Sequence, residues 1–377
     1  MSTTIGVPAE TAEGERRVAL VPEVASRLIK KGLRVVIERG AGAKSYLADE
    51  AYAESGAELG SREDALGADV ILKVQPPSDE DIAKMNPSAT YIGFMSPLDA
   101  PAISAKMAEK GVTTLAMELV PRISRAQKMD ALSAMSSIGG YKAVLMAADI
   151  LPKFFPLLTT AAGTVKPANV LVLGAGVAGL QAIATARRLG ARVSAYDIRD
   201  AVREEIESLG ATFVELELET QDSSDSGGYA KALAEEKQRR QVELLVPHIG
   251  NADVVVTTAL IPGRPAPLLI SEDAVKAMAE GSVIIDMAAA NGGNCAFTEP
   301  GKTVVKEGVS IVGHTNLPAE MPVHASQMYA RTLMAMVLEF YREDTFALDM
   351  EDDIAKGACV AIGGEVVNER VKGLLVG

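Results

Sequence analysis

The stretch that most constrains this chain runs from residue 169 to residue 199, NVLVLGAGVAGLQAIATARRLGARVSAYDIR. A short apolar run, Val170 to Leu173, reads as a buried strand, and it passes through Gly174-Ala-Gly176-Val-Ala-Gly179 into an alanine-rich helical pattern. A second apolar run, Val193 to Tyr196, ends at Asp197. Strand, glycines, helix, strand and acid in this order specify a βαβ unit. Gly174 permits the tight turn, Gly176 lets the backbone approach a pyrophosphate, and Gly179 lets the helix pack closely on the strand. The helix N-terminus attracts the phosphate charge. Asp197 comes roughly 20 residues on, where a carboxylate accepts both ribose hydroxyls of an adenosine. Its charge would repel a 2′-phosphate, so the pattern predicts NAD(H) rather than NADP(H). Arg199 argues the other way, because a nearby arginine accommodates that phosphate.

The chain has 377 residues, which predicts two domains, and it is 48% hydrophobic, enough for sizeable cores. A formal charge of −13 argues against nucleic acid and anionic membrane surfaces as partners. Cys295 and Cys359 are too few for a disulfide framework, and with His248, His314 and His324 they show no metal-ligand spacing, so no metal is expected. No run reaches the about 18 consecutive apolar residues of a spanning helix. The start, MSTTIGVPAETAEGERRVAL, lacks a basic region followed by an apolar core. The expectation is a soluble, cytoplasmic protein without direct membrane insertion.

Strand-like and helix-like segments alternate along the first third. Thr4 to Val7, Arg34 to Glu38, Val70 to Val74, Thr90 to Phe94 and Thr113 to Ala116 read as strands, with helices at Val21 to Lys31 and Pro101 to Lys110. The glycine fingerprint opens a second set of strands: Val170 to Leu173, Val193 to Tyr196, Thr212 to Val214, Val254 to Thr257, Val283 to Ile285 and Ser310 to Val312. Two long helical patterns, Ala131 to Leu151 and about Pro322 to Tyr341, read as links. The fold class expected is α/β: two doubly wound parallel-sheet (Rossmann-like) domains joined by crossover helices. The domains would be residues 1–132 with 325–377, and residues 133–324, with ligand between them at the carboxyl ends of the strands. The acidic, Ser- and Gly-rich stretch Glu215 to Gly228 has two readings. It is a disordered surface loop, or a lid hinged at Gly227 and Gly228 with Tyr229 as its apolar tip, preceding a helix from Tyr229 to Val246.

Arg122-Ile-Ser-Arg-Ala-Gln127-Lys-Met-Asp130-Ala-Leu-Ser133 follows the strand-like TTLAMELVP and so lies at a strand's carboxyl edge. Arg122 can grip a pyrophosphate, and Asp130 and Ser133 share one face of a helical turn, where they can meet a nicotinamide carboxamide or its ribose. The other reading is a polar linker, with Asp130 as a first-turn charge on the helix dipole. Thr257 to Leu260 either faces the cofactor or merely packs, and Gly292-Gly293 follows another strand end. His314 reads as a hydrogen-bonded structural residue before a catalyst. Arg17 and Lys73, in loops beside strands, can bind a carboxylate or protonate a carbonyl; the commoner case is a surface ion pair.

Several segments resemble one known family: IGVPAE, GERRVALVPE, LKVQPP, AMELVPRISRAQKMDALSAMSSIGGYKAV, TTAAGTVKPANVLVLGAGVAGLQAIATARRLGA, TTALIPGRPAPLLI, IDMAAANGGN and GHTN. They are similar to the NAD(H)-binding alpha subunit (domain I) of the proton-translocating NAD(P)+ transhydrogenases. The related alanine dehydrogenases share the two-domain plan. The resemblance implies direct hydride transfer between NADH here and NADP(H) on a partner subunit, coupled to proton translocation by membrane-spanning subunits. It also implies a homodimer, peripheral on the cytoplasmic face of the inner membrane through its partners. Carried over, Arg122, Gln127, Asp130 and Ser133 would hold the nicotinamide and its ribose, with Gln127 reaching toward the partner's nucleotide. Val177 would lie in the glycine turn, and Asp197, Ile198 and Arg199 at the adenosine. Gly228 would lie at the lid with Tyr229 folding over the cofactor, and Leu260 would line the cleft. Arg17 and Lys73 match the substrate-binding pair of alanine dehydrogenase, but its catalytic histidine and aspartate align with Ser96 and Ala290. Neither is a general base at neutral pH, whereas hydride passage between two nicotinamides needs positioning rather than proton transfer. Two alternatives stand beside this reading: an NAD-dependent alanine dehydrogenase, and an NAD-sensing module without catalysis.

Overall fold

The computed structural model describes residues 2–217, 228–261 and 263–376. The chain divides into two compact units, Met1–Met135 with Pro318–Gly377, and Ser136–Leu317. The first boundary falls inside helix Ala131–Ile150 and the second shortly before helix Pro322–Phe340.

The first unit holds an eight-stranded sheet in the spatial order Glu365–Val366, Cys359–Ile362, Thr113–Ala116, Thr90–Gly93, Val70–Leu72, Thr4–Val7, Arg34–Glu38 and Glu58–Gly60. The strands from Thr113–Ala116 to Glu58–Gly60 pair in parallel. Their short apolar runs, such as Val70, Ile71 and Leu72, are wholly buried, as strands covered on both faces must be. Helix Pro322–Phe340 buries Ala325, Tyr329, Leu333, Met336, Val337 and Phe340, a stripe spaced by three and four residues. Tyr329 stacks on Phe94 with ring centroids 5.2 Å apart.

The second unit holds a seven-stranded sheet in the order Thr212–Phe213, Arg192–Tyr196, Asn169–Leu173, Val254–Thr257, Val283–Asp286, Val309–Val312 and Thr303–Lys306. All pair in parallel except the last, which returns antiparallel on Val309–Val312. Strand order reverses direction at Asn169–Leu173, and such switch points open ligand crevices at the strands' carboxyl ends.

The parallel interior of both sheets matches the sequence expectation; the margins differ from it. Glu58–Gly60 and Thr303–Lys306 are edge strands with few buried side chains, so no apolar run marks them. The pair Cys359–Ile362 and Glu365–Val366 adds an antiparallel edge to the first sheet. An exposed hairpin, Leu158–Thr160 with Gly163–Val165, is a further addition that no sequence pattern announces. The helix expected from Tyr229 to Val246 runs from Gly228 to Gly250, through Pro247. Proline there removes one N–H and does not end the helix, because Leu245 and Ile249 on either side are buried in the core.

Candidate functional site

In the second unit the sheet register assembles one edge. Leu173 pairs with Tyr196 on one side and Thr257 on the other, so Gly174, Asp197 and Thr258 emerge side by side at the carboxyl ends. Gly174 has φ +97°, in the left-handed region that a glycine adopts freely, and a Cβ there would stand 2.6 Å from the Thr258 hydroxyl. Gly179 is required for packing: a Cβ would stand 1.8 Å from the Gly174 carbonyl oxygen. Gly176 differs, because a Cβ there would meet nothing within 4 Å. Its bare backbone faces open space at the start of helix Val177–Arg188, whose N-terminus has no side-chain cap. A turn, an uncapped helix start and an unobstructed approach fit the pyrophosphate of a dinucleotide. Val177, Ile198 and Leu260, each following one of these strand ends, are exposed apolar side chains. They supply apolar surface beside the polar groups.

Asp197 is buried at this edge. Its Oδ2 accepts from the Ala175 N–H at 2.7 Å and Arg199 Nη2 at 2.9 Å; its Oδ1 accepts from the Arg199 N–H and Nε, both at 2.9 Å. Burial opposes the charge, but the Arg199 side chain and the two N–H groups outweigh it, and the carboxyl is held below its ordinary value.

Two buried side chains that sequence reasoning missed shape the neighbouring loops. Asn294 accepts from Thr257 Oγ1 (2.6 Å) and the Ala259 N–H (3.2 Å), and donates to the carbonyls of Ala259 (2.9 Å) and Pro267 (2.8 Å). It thereby pins both ends of the loop carrying Leu260. Asp286 accepts from the N–H groups of Ala288, Asn294 and Cys295 and from Thr298 Oγ1. Only Gly292-Gly293 hinted at this loop in the sequence. Asn294→Ala leaves several buried partners unsatisfied, and thermal or urea unfolding should show a loss of about 2–4 kcal/mol. His314 Nδ1 accepts from the Asn316 N–H at 3.1 Å, in keeping with the structural reading.

In the first unit, strand Thr113–Ala116 leads through a short turn into the 3-10 helix Ser124–Met129. Ala126 and Met129 are buried beneath it. Arg125 reaches Glu339 (3.2 Å) and Asp352 (2.6 Å), and Lys128 reaches Glu339 (3.0 Å). The cations at 125 and 128 thus clamp the loop to the body of the unit, while Arg122 and Gln127 stand exposed. Asp130 precedes helix Ala131–Ile150 and accepts from the Ser133 N–H (2.8 Å) and Ser133 Oγ (2.6 Å). That geometry is a helix N-cap, the linker reading's chemistry, and the Ser133 proton points to Asp130. The carboxylate accepts these two bonds of the roughly four it can take.

The lid expected over Glu215 to Gly228 lies largely outside the described residues. Gly228 opens the helix to Gly250, and the Tyr229 side chain is outside the description. Among the described residues no group of three or more His, Cys, Asp or Glu could hold a metal, and no helix is long and apolar enough to cross a membrane.

Comparison with known proteins supplies the frame for these features. Residues 6–139 match the model of the alanine dehydrogenase/PNT N-terminal domain, and residues 143–369 that of the C-terminal domain. The chain belongs to the alanine dehydrogenase/PNT family. The first of the separate polypeptides that make up NAD(P) transhydrogenase subunit alpha in Rhodospirillum rubrum is 44% identical over 379 residues, covering 98% of this chain and 99% of that one. The crystal structure of transhydrogenase from Sinorhizobium meliloti superposes with a TM-score of 0.88 at 42% identity, covering 97% of this chain and 100% of that one. Alanine dehydrogenase of Bacillus subtilis is 31% identical over 330 residues, covering 84% of this chain and 80% of that one.

The alanine dehydrogenase/PNT frame directs attention to Arg17 and Lys73, and both depart from the surface ion pair expected of them. Each is buried. Arg17 grips Glu15 with Nε (2.7 Å) and Nη2 (2.6 Å), and Lys73 lies 3.2 Å from Glu10 and 3.6 Å from Asp81. Carboxylates followed the cations into the interior, because a buried charge without a partner is prohibitive. Ser96 is exposed at φ +46°, with its N–H donated to Glu118, and Ala290 lies in the short turn Ala289–Asn291. Burial pushes the Glu15 carboxyl up, but the Arg17 hydrogen bond and charge outweigh it and hold the group at about 2. A carboxyl depressed in the fold stabilises it above the unfolded value of 4.5 and loses that contribution as pH falls toward about 2. Glu15→Gln should therefore lose roughly 3 kcal/mol at neutral pH and show a flatter decline in stability between those values, read from urea midpoints across pH.

Proposed function

We propose that this chain is the NAD(H)-binding subunit of a proton-translocating NAD(P)+ transhydrogenase. It passes hydride directly between NADH and NADP+ held by a partner subunit. The observation that carries this reading is the identity to a transhydrogenase alpha polypeptide along nearly the full length of both chains. The glycine edge beside Asp197 supports it physically. When bound, the nicotinamide supplies the hydride itself. This chain's role is to bind, orient and present it: Gly174, Gly176, Val177 and Gly179 at the pyrophosphate, Asp197, Ile198 and Arg199 at the adenosine, and Gly228, Tyr229 and Leu260 along the remaining cofactor surface. Arg122, Gln127, Asp130 and Ser133 act at the nicotinamide end, on a loop whose clamp by Arg125 and Lys128 suits fixed positioning.

The domain roles follow the same reading, with residues 1–132 and 325–377 as the alanine-dehydrogenase-like domain and 133–324 as the NAD(H) domain. Membrane-spanning partner subunits couple exchange to proton translocation and hold the chain peripherally at the cytoplasmic face. A homodimer belongs to this account, and exposed Phe154, Leu157 and Val165 around the hairpin offer apolar surface for it.

The test mixes the purified chain with an NADP(H)-binding partner subunit and follows hydride exchange from NADH to an NADP+ analogue. Exchange only in the mixture supports the reading. No exchange despite NADH binding points to a sensing module. Turnover of pyruvate, ammonia and NADH by the chain alone points to an amino-acid dehydrogenase.

A further inference from the structure

Resting on the NAD(H) reading above, we propose that the Arg199 guanidinium occupies the ribose site of Asp197 and must be displaced before the adenosine diol can bind, making Arg199 a determinant of affinity and of NAD(H)-over-NADP(H) selectivity. A carboxylate offers about four acceptor sites. At Asp197 four donors fill them, two on each oxygen: the Ala175 N–H, the Arg199 N–H, and Arg199 Nε and Nη2. A ribose diol brings two further O–H donors, so two of the present donors must leave.

The two backbone N–H groups cannot go. One belongs to Ala175 inside the glycine turn, and the other is fixed by the chain leaving strand Arg192–Tyr196. The guanidinium can. Its side chain is 57% exposed while that of Asp197 is 7% exposed, so water receives the displaced cation while the carboxylate stays in place. Two forked N–H donors are thus exchanged for two O–H donors on the same oxygens. The displaced cation also answers the conflict in the sequence between an acid that repels a 2′-phosphate and an arginine that attracts one. In the resting protein Arg199 is paired with the acid. Once displaced, it is the cation at hand for a 2′-phosphate, so it raises tolerance for NADP(H) while lowering affinity for NAD(H).

Calorimetric titration of the full chain and its Arg199→Ala variant with NADH, NADPH and adenosine tests this. Removing an exposed competitor should tighten NADH by about two- to fivefold and weaken NADPH by a similar factor. Adenosine carries the diol without a phosphate, so salt acts on its binding through the Asp197–Arg199 pair. Raising salt should tighten adenosine on the wild type and leave the variant unchanged. NADH bound equally or more weakly by Arg199→Ala, or adenosine affinity on the wild type indifferent to salt, overturns the proposal. Failure of the wild type to bind NADH removes the functional reading and the proposal together. Asp197→Asn, expected to weaken NADH, separates the two cases: wild-type binding that this variant loses keeps the NAD(H) reading even if Arg199→Ala has no effect.

Discussion

Gly176→Ala should abolish measurable NADH binding while leaving the stability of the free protein almost unchanged, and Gly179→Ala should damage both. The two glycines lie three residues apart and differ in what surrounds them. A Cβ at residue 176 meets no protein atom within 4 Å. It would project into the space through which the backbone approaches a pyrophosphate, so its cost falls on the ligand. A Cβ at residue 179 would stand 1.8 Å from the Gly174 carbonyl oxygen, and backbone must move to admit it. That overpacking should cost about 1–3 kcal/mol of stability or more, read from urea unfolding. The displaced turn should weaken NADH by about tenfold or more. Adenosine, which has no phosphate, divides them further: Gly176→Ala should bind it normally. Equal effects of the two substitutions on stability would contradict the account of the turn.

The second large effect is expected at Gln127. On the proposed function, Gln127→Asn should slow hydride exchange with the partner by on the order of 10- to 100-fold while changing NADH affinity by less than about twofold. The substitution keeps the amide and withdraws it by one methylene. The loop cannot easily make up the difference, because Ala126 and Met129 are buried and Arg125 and Lys128 are tied to Glu339 and Asp352. A misplacement of about 1 Å is small for binding and large for transfer between two rings. Pre-steady-state exchange alongside equilibrium titration separates the two quantities. A parallel fall in both would make Gln127 an ordinary binding contact.

What the sequence made legible is what local physics dictates. Gly174 and Gly179 are legible because only glycine satisfies a positive φ or a close backbone approach, and the structure places Asp197 and Thr258 beside Gly174 through the strand register. Interior parallel strands announce themselves as continuous apolar runs; Glu58–Gly60 and Thr303–Lys306 do not, since an edge strand buries little. Side-chain hubs were illegible for another reason. Asn294 and Asp286 gain their partners from loops far apart in sequence, so neither spacing nor periodicity marks them. Arg17 and Lys73 looked like surface charges until the fold buried Glu10, Glu15 and Asp81 with them. That Asp197 is already saturated by Arg199 depends on rotamers that no pattern encodes.

The most direct measurement uses NADH deuterated at the transferring C4 position, with this chain and an NADP(H)-binding partner subunit in ordinary water. Direct transfer predicts that the deuterium is recovered on the reduced NADP+ analogue, and that no product forms when either protein is omitted. Deuterium lost to solvent, or reduced analogue formed by this chain alone, would contradict the account.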